Sequence, residues 1–215
     1  MILGLLLACL PHPAPTEPVV TAERSPAEVQ LALADALAEN GNTPAALALV
    51  SRLERDGGDG PELAVVHIKA LRLAGLSDTA LSQAERATRR WPRESALWNE
   101  LGVLRMDHGD KDSALPAFER AATGARPPVD HLNNLGFCLL SLGRVDESIA
   151  VFERAVEVDG SSRRVLYNLG LALVIDGREA QARRVVGAAA DSAEADRVVA
   201  AGRDILAART PLEAP

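Results

Sequence analysis

The side chains of this sequence that could do chemistry are two cysteine thiols, four histidine imidazoles and one short run of carboxylates. A thiol can act as a nucleophile or carry a lipid, and an imidazole can transfer a proton or bind a metal. The sequence contains no phosphate-binding glycine loop, no nucleophile elbow and no His-x-x-x-His pair, the motifs that mark common enzyme chemistries. We therefore expect a protein that is not an enzyme and that uses no cofactor.

The histidines and the carboxylate run are interpreted as ordinary structural residues. His67 is expected to be partly buried with a hydrogen-bond partner, whereas His12, His108 and His131 are expected to be exposed to solvent. Residues 107–112, Asp-His-Gly-Asp-Lys-Asp, lack the ligand spacing of an EF-hand calcium loop. This stretch is interpreted as a solvent-exposed turn, and no metal site is predicted.

The two cysteines have different surroundings in the sequence. Cys138 follows Gly136 and Phe137 in an apolar stretch and is predicted to be a small buried thiol. Cys9 lies near the end of the apolar run formed by residues 1–10. Because Cys9 is assigned to that terminal segment, no structural disulfide is expected.

The composition narrows both the fold class and the class of partner. The 215 residues carry a formal net charge of -7, and aromatic residues make up 3% of them. Binding to a nucleic-acid backbone needs clustered Lys and Arg, so nucleic acid is excluded as the main partner. Few aromatic residues and abundant Ala, Leu and Val favour thin layers of packed helices, and we predict an all-α fold.

Glycines recur every 34 residues and indicate how the helices are organised. They are Gly41, Gly75, Gly109, Gly143 and Gly177. A fixed interval of this length is typical of stacked helix-turn-helix repeats. Each glycine is expected at the end of the first helix of a unit, because a left-handed terminal residue costs glycine little. Thr43, followed by Pro44, and Ser77 are expected to cap the helices that follow.

Three units, beginning at residues 95, 129 and 163, place the same residue types at matching positions. Those positions are Trp98, Leu101, Gly102, Ala114, Phe118 and Ala121, then Leu132, Leu135, Gly136, Ser148, Phe152 and Ala155, then Leu166, Leu169, Gly170, Ala182, Val186 and Ala189. This pattern resembles the tetratricopeptide repeat, whose signature runs W-x2-L-G-x2-Y, A-x3-F and P. Arg105 stands where that family usually has Tyr, and His67 and Ile68 replace the Leu-Gly pair of an earlier, weaker unit.

The resemblance implies an α-solenoid of about five helix-turn-helix repeats over residues 27–196. The units are predicted at 27–60, 61–94, 95–128, 129–162 and 163–196. Residues 194–209 are predicted to form a helix that caps the stack. The apolar stripe of that helix consists of Val198, Val199, Ile205 and Leu206. Residues 210–215 are predicted to be a disordered tail.

The beginning of the chain is interpreted as a targeting segment. Residues 1–9 are apolar but too short to span a bilayer, and Leu6-Leu7-Ala8-Cys9 resembles the bacterial lipobox. That resemblance implies cleavage before Cys9, lipidation of its thiol and a membrane anchor at the cell envelope, on the periplasmic side in a host with two membranes. Residues 10–26 contain five prolines and are predicted to be an extended linker. No Lys or Arg precedes the apolar run, so an unprocessed apolar end is the alternative.

The resemblance to tetratricopeptide repeats also implies a concave groove, lined by the first helix of each unit, that binds peptides. The residues predicted to form it are Lys69, Arg72, Asn99, Asn133, Asn134, Phe137, Arg164, Tyr167, Asn168 and Leu171. Asn134 and Asn168 are one period apart, so their amides are expected to stack along the groove. Two interpretations stay open for them: they bind a peptide backbone, or they only stabilise the inner helix face.

These features predict a non-catalytic scaffold, tethered to the cell envelope, that binds a peptide or helical segment of a partner protein. One alternative is a pilot or assembly lipoprotein of a secretion or pilus machine, which would use the same groove and anchor. Another is a cytoplasmic adaptor, which would use the groove alone.

Overall fold

The computed structural model describes residues 25–124, 127–188 and 192–209. Within these ranges the chain forms α-helices and no β-strand, which confirms the predicted all-α class. None of the helices there is long and apolar enough to cross a membrane. The predicted signal segment with Cys9, nearly all of the predicted linker with His12, and the tail 210–215 lie outside the described residues.

Eleven helices follow one another along the described chain. They are α1 (Pro26–Glu39), α2 (Thr43–Arg55), α3 (Pro61–Leu73), α4 (Ser77–Arg90), α5 (Ser95–Asp107), α6 (Lys111–Ala121), α7 (Val129–Ser141), α8 (Val145–Val158), α9 (Arg163–Ile175), α10 (Glu179–Gly187) and α11 (Ser192–Arg209). The first ten form five consecutive pairs, and α11 follows the fifth pair. The predicted α-solenoid is therefore confirmed. The first member of each pair is called a first helix below, and the second member a second helix.

In each pair, the turn between the two helices contains a glycine with a left-handed backbone conformation. Gly75 has φ +76°, and the amide of Leu76 donates to the carbonyl of Leu71 at 2.9 Å, which closes the end of α3. The same positive φ occurs at Gly41, Gly109, Gly143 and Gly177. Only glycine adopts this conformation without strain, so the 34-residue spacing of glycines marks helix ends, as predicted.

The predicted caps of the second helices are wrong by one residue. Thr43 and Ser77 are the first helical residues of α2 and α4, and neither helix has a side-chain cap. A side-chain cap forms instead in the carboxylate run, where Asp110 accepts a hydrogen bond from the amide of Ser113 at 3.1 Å and starts α6. This run is otherwise exposed, as predicted.

A second set of glycines lets the helices of a pair approach closely. A Cβ added at Gly136 would lie 2.6 Å from the ring of Phe152, and one at Gly102 would lie 2.5 Å from the ring of Phe118. Both rings are buried, at 0% and 2% exposure respectively. The first helix therefore has no room for a side chain where the aromatic ring of the second helix packs against it.

Helix α11 covers the end of the stack by packing against α9 and α10. Its buried face consists of Ala195, Val199 and Gly202, at spacings of four and three residues. A Cβ at Gly202 would lie 2.4 Å from Val174, so this glycine brings α11 against α9. The predicted apolar stripe is thus only partly correct, because Leu206 is 36% exposed.

The curvature of the solenoid follows from which helices touch. Each of the first helices contacts the next first helix, whereas no second helix contacts the next second helix within the described ranges. Elements that lie closer together occupy the inner side of a curved layer. The first helices therefore line the concave face, and its outward side chains form the groove considered next.

Candidate functional site

One row of side chains runs along the whole groove with a spacing of 34 residues, and we call it the inner row. It consists of Asp35, Lys69, Val103, Phe137 and Leu171, one from each first helix. The row is charged at its beginning and apolar from α5 onward. The concave face therefore has two chemically different halves.

Lys69, at the charged end of the inner row, is already hydrogen-bonded to other residues of this chain. Its ammonium group donates to Asp35 at 2.8 Å and to Glu39 at 2.6 Å, and its side chain is 19% exposed. Burial lowers the pKa of Lys69, but the hydrogen bonds to the two carboxylates outweigh this effect and leave the pKa raised. Lys69 thus joins α1 to α3 and is not a free cation for a partner.

Arg72 has a similar internal role between α3 and α5. Its Nε donates to Glu100 at 3.3 Å, and Glu100 is buried, with 8% exposure. Burial raises the pKa of Glu100 above its usual range, and the positive charge of Arg72 offsets this only in part. The sequence prediction placed Arg72 in the groove but missed Glu100 as its partner.

The asparagines form two pairs that cross from one repeat to the next. Asn134 donates to Asn99 at 2.9 Å, and Asn168 donates to Asn133 at 2.8 Å. Each of Asn134 and Asn168 therefore bonds to the preceding first helix, and the two amides do not stack on one another. Asn133 is only 4% exposed. Of the two interpretations left open by the sequence, this geometry favours stabilisation of the inner helix face.

The apolar half of the groove contains a large apolar side chain, Phe137, that is exposed to solvent. Phe137 is 47% exposed, although its neighbours in the inner row, Val103 and Leu171, are half-buried against the core. Tyr167 is also half-buried, and its hydroxyl lies 3.1 Å from the guanidinium of Arg163. The residues predicted for this half therefore present an aromatic surface.

Arg164 lies at the edge of this surface rather than in it. Its guanidinium pairs with Asp130 at 3.2 Å, and both side chains are more than half exposed. An ion pair in such a position contributes little to stability and exchanges readily with water. Arg164 is thus available to a partner only at the rim.

Within the described ranges, the other residues singled out for possible chemistry have ordinary structural surroundings. His67 accepts or donates a hydrogen bond with Glu54 at 2.9 Å, as expected for a partly buried histidine. Burial raises the pKa of the Cys138 thiol to about 11, consistent with the predicted buried thiol. In the described part of the chain, no three His, Cys, Asp or Glu side chains are grouped so that they could hold a metal ion.

The expectation that His131 is exposed is wrong. It is 7% exposed, and its Nδ1 donates to the carbonyl of Ala121 at 3.0 Å. Burial lowers the pKa of His131 below its usual range, and this hydrogen bond only partly offsets the effect. The end of α6 covers this first turn of α7, which a single-helix pattern does not show. His108 is exposed, as expected.

A family model described as tetratricopeptide repeat matches residues 67–130 and 135–197. Together these segments account for more than half of the chain. No curated protein matches the sequence with significance.

Several solved structures share the fold at low sequence identity. TTC0263, a thermophilic TPR protein in Thermus thermophilus, has a TM-score of 0.64 and 20% identity, and the match covers 84% of this chain and 99% of that one. MamA 41-end from Desulfovibrio magneticus RS-1 has a TM-score of 0.61 and 18% identity, with coverages of 80% and 95%. YrrB, described as a TPR protein with an unusual peptide-binding site, has a TM-score of 0.59 and 20% identity, with coverages of 81% and 90%.

Proposed function

The chain belongs to the tetratricopeptide repeat family, and from this premise we propose that it is a non-catalytic scaffold that binds a peptide or helical segment of a partner protein in its concave groove. The binding surface is the apolar half of the groove, around Phe137, Tyr167 and Leu171. Asn99, Asn134 and Asn168 border it. Asn134 bonds to Asn99 and Asn168 bonds to Asn133, which stabilises the inner helix face, and each amide has further donor or acceptor capacity that a peptide backbone could use.

The observation that carries this proposal is the exposure of Phe137. A benzyl side chain that is 47% exposed presents a large apolar area to water, and it stands in a concave surface with half-buried apolar neighbours on both sides. Aromatic side chains in such positions supply much of the binding energy at protein interfaces. YrrB, which shares the fold, is described as having an unusual peptide-binding site, and this supports peptide binding as the kind of function.

Site-specific photo-crosslinking tests the groove directly. A benzoylphenylalanine introduced at Phe137 is expected to crosslink the chain to a discrete partner in cells of the native host. The matched control carries the same amino acid at Val158, which is 45% exposed but lies on α8, a second helix, away from the groove. Tyr167→Ala in the Phe137 crosslinking background is expected to weaken partner capture by roughly tenfold or more.

Two results would contradict the groove proposal. The first is the same set of crosslinked products from positions 137 and 158, because exposure alone would then explain capture. The second is unchanged capture after Tyr167→Ala. The melting curve of the Tyr167→Ala variant, followed by circular dichroism, separates a loss of binding from a loss of folding.

We also propose that Cys9 carries a lipid that tethers the scaffold to the cell envelope, with residues 10–24 as the spacer; the predicted linker ends two residues earlier than residue 26, because Ser25 caps α1 and Pro26 begins it. The support is the Leu6-Leu7-Ala8-Cys9 sequence and the prolines that follow it. A spacer of extended proline-rich chain reaches about 3.1 Å per residue, which would hold the repeats away from the membrane surface. A pilot or assembly lipoprotein of an envelope machine would share this arrangement.

Membrane fractionation and intact mass distinguish the tethered scaffold from a cytoplasmic adaptor. The wild type is expected to lose residues 1–8, gain acyl mass and sediment with membranes, and Cys9→Ser is expected to abolish all three changes. A soluble wild-type chain of unprocessed mass, in a host that processes a control lipoprotein, would reject the anchor. The groove would then belong to a cytoplasmic adaptor.

A further inference from the structure

The beginning of the concave face contains a groove that the aromatic surface around Phe137 does not include. It has a volume of about 570 Å³ and lies between α1, α3 and the start of α5. Leu31, Val65 and Val66 form its apolar floor. We call it the acidic groove, because the polar side chains along it are the carboxylates Glu28, Asp35, Glu62 and Glu94.

The protein's own groups leave much of this negative charge unneutralised. Lys69 neutralises Asp35, but among the described residues no Lys, Arg or His lines the groove itself. Glu28 and Glu94 accept hydrogen bonds from backbone amides, which carry no net charge. Glu62 has neither a hydrogen bond nor an ion pair with any other described residue. Several carboxylates around a low-dielectric floor produce a field that attracts cations.

The chain's own N-terminal residues do not supply the missing positive charge. Residues 11–24 contain Glu17 and Glu23 but only one Lys or Arg, which is Arg24. Residues 1–10 carry no charged side chain. If residues 1–24 filled the acidic groove, they would bring one arginine and two further carboxylates to it. Charge complementarity therefore favours an occupant from another protein.

We propose that the acidic groove binds a basic amphipathic segment of the partner, with apolar side chains on the floor and Lys or Arg toward the carboxylates. The inference rests on the proposed scaffold function and specifies the chemistry of the partner at a separate part of the same face. A partner that spans both surfaces would thus present a basic amphipathic part to α1 and α3 and an apolar part to α7 and α9. Rim charges of this kind act mainly on specificity and association rate.

Three labelled peptides test the proposal by fluorescence anisotropy. The first has Leu and Arg at amphipathic helical spacing, the second has Glu in place of every Arg, and the third has Ser in place of every Leu. The first peptide is expected to bind at least roughly tenfold more tightly than the other two, and its affinity is expected to fall as salt screens the carboxylates. Equal binding of all three peptides, or no binding of the first, would overturn the proposal.

A matched pair of protein variants assigns the binding to the groove. Ala32→Lys with Glu62→Lys adds positive charge at two exposed positions that line it, and this variant is expected to weaken binding of the first peptide by roughly tenfold or more. Ala150→Lys with Glu153→Lys makes the same change in net charge at exposed positions of α8 and is expected to leave binding unchanged. Glu62→Gln, which removes a single charge, is expected to give a smaller loss in the same direction. Equal losses from the two lysine variants would mean that only net charge matters and would overturn the assignment.

The same variants separate this inference from the proposed function. If crosslinking at position 137 persists but the acidic groove binds no basic peptide, the inference about the acidic groove is rejected and the proposed scaffold function stands. If the acidic groove binds the basic peptide but position 137 gives no specific crosslink, the acidic groove is supported as a binding site and the surface around Phe137 is rejected as one. Melting curves of the two lysine variants are compared with that of the wild type. If the three curves are similar, a loss of peptide binding is not caused by a loss of folding.

Discussion

Gly136→Leu is expected to lower the free energy of unfolding by about 3 kcal/mol or more, because the core has no room for the new side chain. Its Cβ alone would lie 2.6 Å from the ring of Phe152, closer than real Cβ contacts allow. Phe152 is 0% exposed and belongs to the core that joins neighbouring repeats, so its ring cannot move aside into solvent. Helices α7 and α8 would have to separate. Urea denaturation followed by far-UV circular dichroism measures the loss.

Gly187→Leu is the matched control for this substitution. Gly187 is also helical, at the exposed end of α10, but no described atom outside its chain neighbours and the local backbone of α10 lies within 4 Å of the position of its Cβ. Replacing a helical glycine at an open position is expected to leave stability unchanged or to raise it by up to about 1 kcal/mol. A Gly136→Leu chain as stable as the Gly187→Leu chain would contradict the packing between α7 and α8.

Arg72→Met is expected to cost about 3 kcal/mol at neutral pH, because it leaves the buried carboxylate of Glu100 without its counter-charge. The loss is expected to depend on pH. Burial raises the pKa of Glu100 above the usual 4.5, and removing Arg72 raises it further. Below pH 4.5, Glu100 is protonated in both the folded and the unfolded chain, so the penalty disappears. As the pH rises through the raised pKa, the folded variant loses stability relative to the wild type.

Two controls isolate the buried charge. Arg144→Met removes an exposed ion pair with Glu147, and we expect it to change stability far less than Arg72→Met does, with little dependence on pH. Adding Glu100→Gln to Arg72→Met removes the uncompensated charge and is expected to restore part of the stability. Denaturation well below pH 4.5, where Glu100 is protonated in both states, and at neutral pH provides the comparison. A defect of equal size at both pH values would show that Arg72 stabilises the fold by packing rather than by charge.

The parts of the fold that repeat were predictable from the sequence because the same local requirement recurs in each unit. A helix that ends in a left-handed residue needs glycine, so Gly75 and its equivalents mark the turns. A close helix contact needs glycine opposite an aromatic ring, as at Gly136 and Phe152. Helix starts were less predictable, because serine and threonine are also tolerated as first helical residues. The N-cap positions of α2 and α4 lie one residue earlier, at Asn42 and Leu76, and neither forms a side-chain cap.

The single-residue expectations failed where a neighbouring element decides exposure. His131 was expected to be exposed to solvent, but the end of α6 covers it and supplies a carbonyl acceptor. Leu206 was expected on the buried stripe of α11, but Gly202 brings a different face against α9. In both cases the deciding contact comes from an element that the local pattern does not contain.

The sequence by itself determined the repeat, its length, the all-α class and the family, because these depend on residue types at a constant spacing along one chain. Only the tertiary structure decided which polar residues of the groove are already used. Lys69, Arg72 and the asparagines bond across to the adjacent first helix, between residues about one repeat apart, and these bonds exist only once the helices are stacked. Phe137 is 47% exposed within the described structure, whereas Val103 and Leu171 at equivalent positions of the inner row are half-buried, because packing against the neighbouring helices and not the repeat position sets the exposure.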